Sequence, residues 1–164
     1  MERRKYQPVE ENMPQSAAFS HEPKCYPYFR VDNEPEQRVV MEYQEWKEKG
    51  FTAERPLTIV DFPPAQLFTT QDWLDPEKTV RAHLAQQERV DDAFIINGTF
   101  FQHPKPHMGV VPVVLEGNHR TVNALFSREN VTFNTSNISL PTDAQVWRIT
   151  NLAKKYNDWY AKGL

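Results

Sequence analysis

The sequence predicts one mixed α/β domain with extensions at its ends, and three observations lead to this prediction. The chain has 164 residues, a length that suits a single domain. Short apolar runs rich in β-branched residues, such as 57–61 and 110–115, are typical of strands. Segments with helical spacing and start signals, such as 76–87, lie between them. We therefore expect strands and helices to alternate around one core.

Composition narrows the class of protein. The chain is 39 % hydrophobic and 25 % charged, which is compatible with a globular domain. The net charge of −3 argues against a general nucleic-acid coat, because DNA affinity comes mostly from neutralising phosphates. Cys25 is the only cysteine, so we expect no disulfide framework. No run approaches 18 apolar residues, and we expect a cytoplasmic protein without membrane contact.

The first part of the predicted organisation, residues 1–54, is an N-terminal arm and a helix. Residues 1–34 are polar and rich in proline, which is typical of a mobile arm that folding does not need. Tyr26, Tyr28 and Phe29 form an aromatic group within it. Two alternatives remain for this group: an extended segment packed on the core, or an arm that docks on a partner.

The helix of this N-terminal part is predicted at 36–49. Val39, Tyr43 and Trp46 fall on one face of such a helix, and Gly50 suits its end.

The second part, residues 55–140, is the predicted core. Asp75 followed by Pro76 is a typical helix start. Asn97-Gly98 is the strongest hairpin signal in the chain, and Pro112 predicts an edge strand or a bulge. The predicted strands are 57–61, 93–96, 99–101, 110–115 and 131–133, and the predicted helices are 75–87, with Val80 and Leu84 one turn apart, and 121–126.

The third part, residues 141–164, is a predicted C-terminal helix packed on the core. Thr142 and Gln145 have the spacing of a capping box that opens this helix, and Gly163 suits its end. Its apolar face would carry Val146, Ile149, Ala153, Tyr156 and Trp159.

The candidate functional site is the turn Glu-Gly-Asn-His-Arg at 116–120, between an apolar strand and a helix. Gly117 permits a tight turn, and Asn118 is a good N-cap for the helix that Thr121 enters. The N–H groups of a helix start attract anions, and the Arg120 fork matches phosphate oxygens. This order therefore predicts a phosphate-binding turn, whose binding residues would be Gly117, Asn118, His119, Arg120 and Thr121. The alternative is that Asn118 only caps the helix and Arg120 pairs with a surface carboxylate.

Two side chains of the turn are candidates for chemistry. His119 can donate a hydrogen bond or move a proton near neutral pH. Glu116 can hold Mg²⁺ or act as a base.

The segment 113–120 (VVLEGNHR), followed by Ala124 and Leu125, resembles the signature of the ParB/sulfiredoxin-like superfamily. The resemblance covers roughly residues 57–135. It implies a small mixed sheet with flanking helices, and a nucleotide whose phosphates lie on the signature turn. We therefore expect binding of a nucleoside triphosphate with Mg²⁺, with hydrolysis or phosphate transfer as possible activities. Two alternatives stay open: a nucleic-acid-directed nuclease or interference factor of plasmid or phage origin, and a non-catalytic interaction protein.

The sequence departs from three branches of that superfamily. Asn118 stands where sulfiredoxins have their reactive cysteine. About 44 residues follow Arg120, and they lack the helix-turn-helix region of partitioning proteins. Gln71 stands where the serine kinases have a catalytic acid, with Asp72 beside it as the remaining catalytic candidate.

Two further groups of residues have competing interpretations. His103, His107 and His119, with Glu116 as a fourth ligand, form the zinc alternative, against solvated loop histidines. The aromatic residues near the C-terminus either stack nucleic-acid bases or pack the last helix onto the core; they are Trp147, Tyr156, Trp159 and Tyr160.

Overall fold

The computed structural model describes residues 6, 8–9, 24–27, 41–42, 57–136 and 138–164. In these residues eight strands form one mixed sheet. They are β1 (Lys24–Pro27), β2 (Met41–Glu42), β3 (Leu57–Phe62), β4 (Phe68–Thr69), β5 (Ile95–Gln102), β6 (Val110–Glu116), β7 (Val131–Thr135) and β8 (Trp147–Arg148). Their order across the sheet is β2-β1-β3-β7-β5-β6-β4-β8.

Four α-helices lie in the same described residues, which makes the fold mixed α/β and compatible with the α+β class. They are α1 (Pro76–Gln87), α2 (Asn118–Ser127), α3 (Ile149–Lys154) and α4 (Asn157–Ala161). Short 3₁₀ turns occupy Pro64–Gln66 and Pro106–Met108. No helix in these residues is long and apolar enough to cross a membrane.

Several predicted elements are confirmed. Strands occur at the predicted positions from residues 57, 110 and 131, and α1 begins at Pro76 as expected. The Asp75 carboxylate accepts a hydrogen bond of 3.0 Å from the Lys78 N–H, so Asp75 is the N-cap of α1. The helix predicted at 121–126 is the central part of α2.

The predicted hairpin at Asn97-Gly98 is wrong, because both residues lie inside the continuous strand β5. A Cβ on Gly98 would lie 2.0 Å from the Val113 carbonyl oxygen. Glycine is therefore needed here for close strand packing and not for a turn. Because β5 pairs with β6 on one side and β7 on the other, the ladders hold this segment extended.

The prediction that Pro112 marks an edge strand or a bulge is also wrong. Strand β6 lies between β5 and β4, and its register with β5 shifts only at Asn97/Gly98 and not at Pro112. However, β4 has only two residues, and they pair with Val113 and Val114. Pro112, paired with Phe100 of β5, lies beyond the end of β4. Its missing N–H therefore costs no ladder bond on that side.

The N-terminal part differs from its prediction at Met41–Glu42 and at Val9, and agrees with one alternative at Lys24–Pro27. The helix predicted over 36–49 is wrong at Met41–Glu42, which is strand β2; its remaining residues lie outside the described ones. Lys24–Pro27 forms β1, so the extended alternative holds for the backbone of Tyr26, while Tyr28 and Phe29 are not described. Val9 is 3 % exposed, which contradicts a mobile arm at that residue.

The capping box at Thr142 and Gln145 is not formed, because helix α3 begins only at Ile149. Strand β8 precedes it and pairs with β4, which requires an extended backbone before the helix. The predicted single helix is divided into α3 and α4. Gly163, with φ +79°, follows the end of α4 as predicted.

The core consists of two groups of buried side chains. The larger group includes residues of β3, β5, β7 and the helices, such as Ile59, Phe62, Ile96, Phe126 and Phe133. The smaller group is formed by Phe68, Phe101, Val111 and Val113.

Candidate functional site

The candidate site lies where two parallel strands end. Strand β4 ends at Thr69 and β6 ends at Glu116, and Thr69 pairs with Val114 in parallel register. Their carboxyl ends therefore lie at the same edge of the sheet. The loop that follows β4 and the turn that follows β6 meet at this edge.

Gly117 makes the turn between β6 and α2. Its φ is +99°, a conformation that glycine adopts without the steric cost of a side chain. A Cβ at this position would also lie 2.8 Å from the Ile96 Cγ2 atom. The prediction of a tight glycine turn is thus confirmed. The prediction that Asn118 is the N-cap is wrong: Gly117 is the N-cap, and Asn118 is the first residue of α2.

The side chain of Asn118 connects the turn to the loop after β4. Asn118 is 5 % exposed, and its Oδ1 accepts a hydrogen bond of 2.7 Å from the Thr69 hydroxyl. The same hydroxyl accepts a bond of 3.0 Å from the Gln71 N–H. The Asn118 Nδ2 group donates to Gln71 Oε1 at 3.5 Å. Asn118 therefore fixes the loop instead of capping its own helix.

His119 connects the turn to the start of α1. Its Nε2 atom accepts a hydrogen bond of 2.9 Å from the Asp75 N–H. Burial of the ring, and then the charge of Lys78, lower the pKa of His119 below its usual value. The ring is therefore neutral at pH 7, and its proton lies on Nδ1. Because Nε2 is occupied, the remaining polar group of His119 is a donor.

Arg120 contacts the backbone of the sheet. Its Nη1 group donates to the Ile95 carbonyl at 3.0 Å, and its own carbonyl accepts a bond of 2.9 Å from Gln86 Nε2. The described partner of the guanidinium is thus a carbonyl and not a surface carboxylate. This contact uses one of the five N–H donors of an arginine.

The other predicted site residues lie around the turn. Glu116 is exposed, with its Oε2 atom 3.5 Å from Asn97 Nδ2. The buried Thr121 hydroxyl donates to the Gly117 carbonyl at 2.7 Å. Asp72 is exposed in the loop after β4, and its carbonyl accepts a bond of 3.1 Å from Lys155 Nζ. The structure therefore brings the loop of Asp72 to the turn through Gln71.

Metal ligands do not cluster in the described part of the chain. Nowhere in it do three or more His, Cys, Asp or Glu side chains come together as a group that could hold a metal ion. His103 contacts the Phe68 ring, and its Nδ1 atom accepts a bond of 3.1 Å from the Lys105 N–H. The zinc alternative therefore has no support among these residues.

Three of the four C-terminal aromatic residues pack on the core, and Trp147 lies in β8 with an intermediate exposure. Tyr160 is 2 % exposed, stacks on Phe126 and donates to Asn123 Oδ1. Tyr156 and Trp159 are partly buried against each other. Packing of the chain's end onto the core is thus the correct interpretation for Tyr160, the most buried of them.

Two residues that organise the site were not predicted as part of it. Thr69 binds Asn118, and the Asp75 amide binds His119. Asp75 was recognised only as a helix cap. No local motif announces these contacts, because they join segments 44 and 49 residues apart.

No family model, no curated protein and no solved structure matches this sequence.

Proposed function

We propose that this chain binds the phosphate groups of a nucleoside triphosphate at the turn that opens α2, in a fold of the ParB/sulfiredoxin-like type. The supporting observation is the parallel pair β4 and β6, whose carboxyl ends share one edge with the Gly117 turn. Ligands of sheets with parallel strands bind outside such carboxyl ends. A helix that starts there adds its N–H groups and dipole, which favour an anion.

Three kinds of donor support phosphate as the ligand. The first α-helical bond at the turn runs from the Thr121 N–H to the Gly117 carbonyl at 2.9 Å. The N–H groups of 118–120 come before this bond, in the first turn, where a helix offers no acceptor of its own. His119 adds its Nδ1 proton, since its Nε2 atom accepts from Asp75. Arg120 adds a positive charge and further N–H groups. All three match the acceptor oxygens of phosphate.

Mg²⁺ fits this site only as a partner of the nucleotide. Glu116 would contribute a carboxylate, and phosphates and water would complete the coordination, as is usual for Mg²⁺. The ion would neutralise phosphate charge. Asp72, in the loop held by Asn118 through Gln71, is the second carboxylate proposed near the phosphates. In hydrolysis or phosphate transfer His119 would donate a hydrogen bond, because its Nε2 atom is occupied.

The proposal is tested by calorimetric titration of the full chain with each nucleoside triphosphate and Mg²⁺. Arg120→Ala should lose a charged contact of about 1.5–3 kcal/mol, which lowers the affinity about tenfold or more. Arg120→Lys should recover little, because it keeps the charge and loses the fork. Arg128→Gly is the matched control: it removes the same charge at the far end of α2, where φ of +57° suits glycine.

Glu116→Gln separates the two roles of this carboxylate. If Glu116 binds Mg²⁺, the variant should require more Mg²⁺ for the same nucleotide affinity, and any turnover should fall more than binding. Tighter binding at all Mg²⁺ concentrations would instead show that Glu116 only repels phosphate. Absence of nucleotide binding by the folded wild type would contradict the proposal. Salt-sensitive binding of DNA alone would favour the nucleic-acid alternative.

A further inference from the structure

Helix α1 has the reverse of the usual polarity. A helix on the surface of a domain normally turns its apolar stripe to the core. In α1 the buried side chains are Thr79, His83 and Gln86, each at most 5 % exposed. They are held by polar contacts: the Thr79 hydroxyl donates to the Asp75 carbonyl, and Gln86 donates to the carbonyls of Ala93 and Arg120.

The outer face of α1 is apolar at its centre. Val80 is 40 % exposed and Leu84 is 51 % exposed, one helical turn apart. Together with Pro76, Glu77 and Arg81 they line a shallow concavity of about 530 Å³. The inner face of α1 contacts the core through polar side chains, while Val80 and Leu84 face outward. The outer face is therefore suited to contact another protein. We call these five residues the α1 face.

We propose that the α1 face pairs with itself, so that two copies of this chain form a homodimer with antiparallel α1 helices. The charges of the face support this occupant. Glu77 and Arg81 have side chains that are 83 % and 71 % exposed, and they pair at 3.0 Å within one helix. A two-fold axis midway between them places Glu77 opposite the partner's Arg81, and Arg81 opposite the partner's Glu77. Such a contact is self-complementary, as two-fold interfaces must be.

The same axis also aligns the apolar side chains. At a rise of 1.5 Å per residue, it brings the two Val80 positions to within about 3 Å along the helix direction. Along the same direction, Leu84 then lies about 3 Å from the partner's Pro76. The charged pairs and the apolar pairs therefore agree on one arrangement. This inference does not depend on nucleotide binding.

Sedimentation velocity of the full chain over a wide range of concentrations tests this proposal. The wild type should show a concentration-dependent equilibrium between monomer and dimer. Val80→Glu should raise the dimer dissociation constant about tenfold or more, because it buries an unpaired carboxylate at the axis. Leu84→Glu is the second variant, with the same expected direction. Ile138→Glu is the matched control, since Ile138 is 56 % exposed and lies outside the α1 face.

Charge reversal tests the antiparallel register. Glu77→Arg alone and Arg81→Glu alone should each weaken the dimer, since like charges then face each other across the axis. The double variant Glu77→Arg/Arg81→Glu should restore it, because opposite charges face each other again. A wild type that stays monomeric at all concentrations would overturn the proposal. A dimer that tolerates Val80→Glu and Leu84→Glu would overturn it as well, and a double variant no better than the single ones would overturn the register.

Discussion

Asp75 connects both helices that border the candidate site. Its carboxylate caps α1 by accepting from the Lys78 N–H, and this bond lowers the pKa of the carboxyl group below its usual value. Its backbone N–H donates to His119 near the start of α2. The two contacts of Asp75 thus join the start of α1 to the turn. Protonation of His119 at Nε2 would disturb this connection directly, because Nε2 could then no longer accept from the Asp75 N–H.

The pH dependence of stability should show the His119 contact. Burial of the ring, and then the charge of Lys78, lower the pKa of His119 in the folded state, and protonation of Nε2 would also break the bond from the Asp75 N–H. The contribution of His119 is then complete above the unfolded value of about 6.5 and decreases as the pH falls below it toward the folded pKa. In urea unfolding, the stability of the wild type relative to His119→Gln should therefore fall as the pH is lowered from about 7.5 to about 5.5.

Glutamine is the suitable replacement because its Oε1 atom can accept from the Asp75 N–H without titrating. All other residues are the same in the two proteins, so the comparison isolates position 119. A constant difference across this pH range would show that His119 does not lose a bond on protonation.

The elements show where sequence patterns are sufficient and where they fail. Strands β3, β6 and β7 and helix α1 follow from runs and caps that are complete within a few residues. Asn97-Gly98 and the Thr142 capping box are also complete local signals. Asn97 and Gly98 are nevertheless held extended, because β5 pairs with β6. After Thr142 the chain forms β8, which pairs with β4, and the helix begins only at Ile149. Pairing with a distant strand outweighs a local turn or cap, and a single sequence does not show which strands will pair.

The N-terminal residues show the same limit. Tyr6 contacts the rings of His83, Phe126 and Tyr160, and its hydroxyl group is hydrogen-bonded to His83 Nδ1. Val9 belongs to the larger core cluster, and its N–H donates to Asn157 Oδ1 at 3.2 Å. Polar composition alone predicted an arm that folding does not need. Among the described residues, the side chains of Tyr6 and Val9 instead pack against the core.

Substitution of Tyr6 measures this packing. Tyr6→Phe should reduce the free energy of unfolding by about 1 kcal/mol, because only the hydroxyl contact is lost. Tyr6→Ala should reduce it by about 3 kcal/mol, because the ring packing is lost as well. Trp73→Ala, at an aromatic residue that is 54 % exposed, is the control and should change little. Equal stability of all three variants, measured by urea unfolding, would support the mobile arm.

At the scale of the whole molecule, the site depends on the order of the strands. The glycine turn was predictable because strand, glycine and helix follow one another along the chain. The parallel contact of β4 with β6 was not, since β4 has two residues and no strand signal of its own. That contact brings Thr69 and Gln71 to Asn118 and makes the turn part of a larger edge. The phosphate proposal rests on this edge.

The most direct test of the phosphate proposal is an NMR titration of the full chain with inorganic triphosphate, followed by a nucleoside triphosphate with Mg²⁺. We expect the amide resonances of Gly117, Asn118, His119 and Arg120 to shift first and to saturate together. Arg120→Ala should weaken this response about tenfold. The Arg128→Gly variant should respond like the wild type. If these amide resonances do not shift while the protein remains folded, or if shifts occur only elsewhere, the turn is a structural helix start that does not bind phosphate.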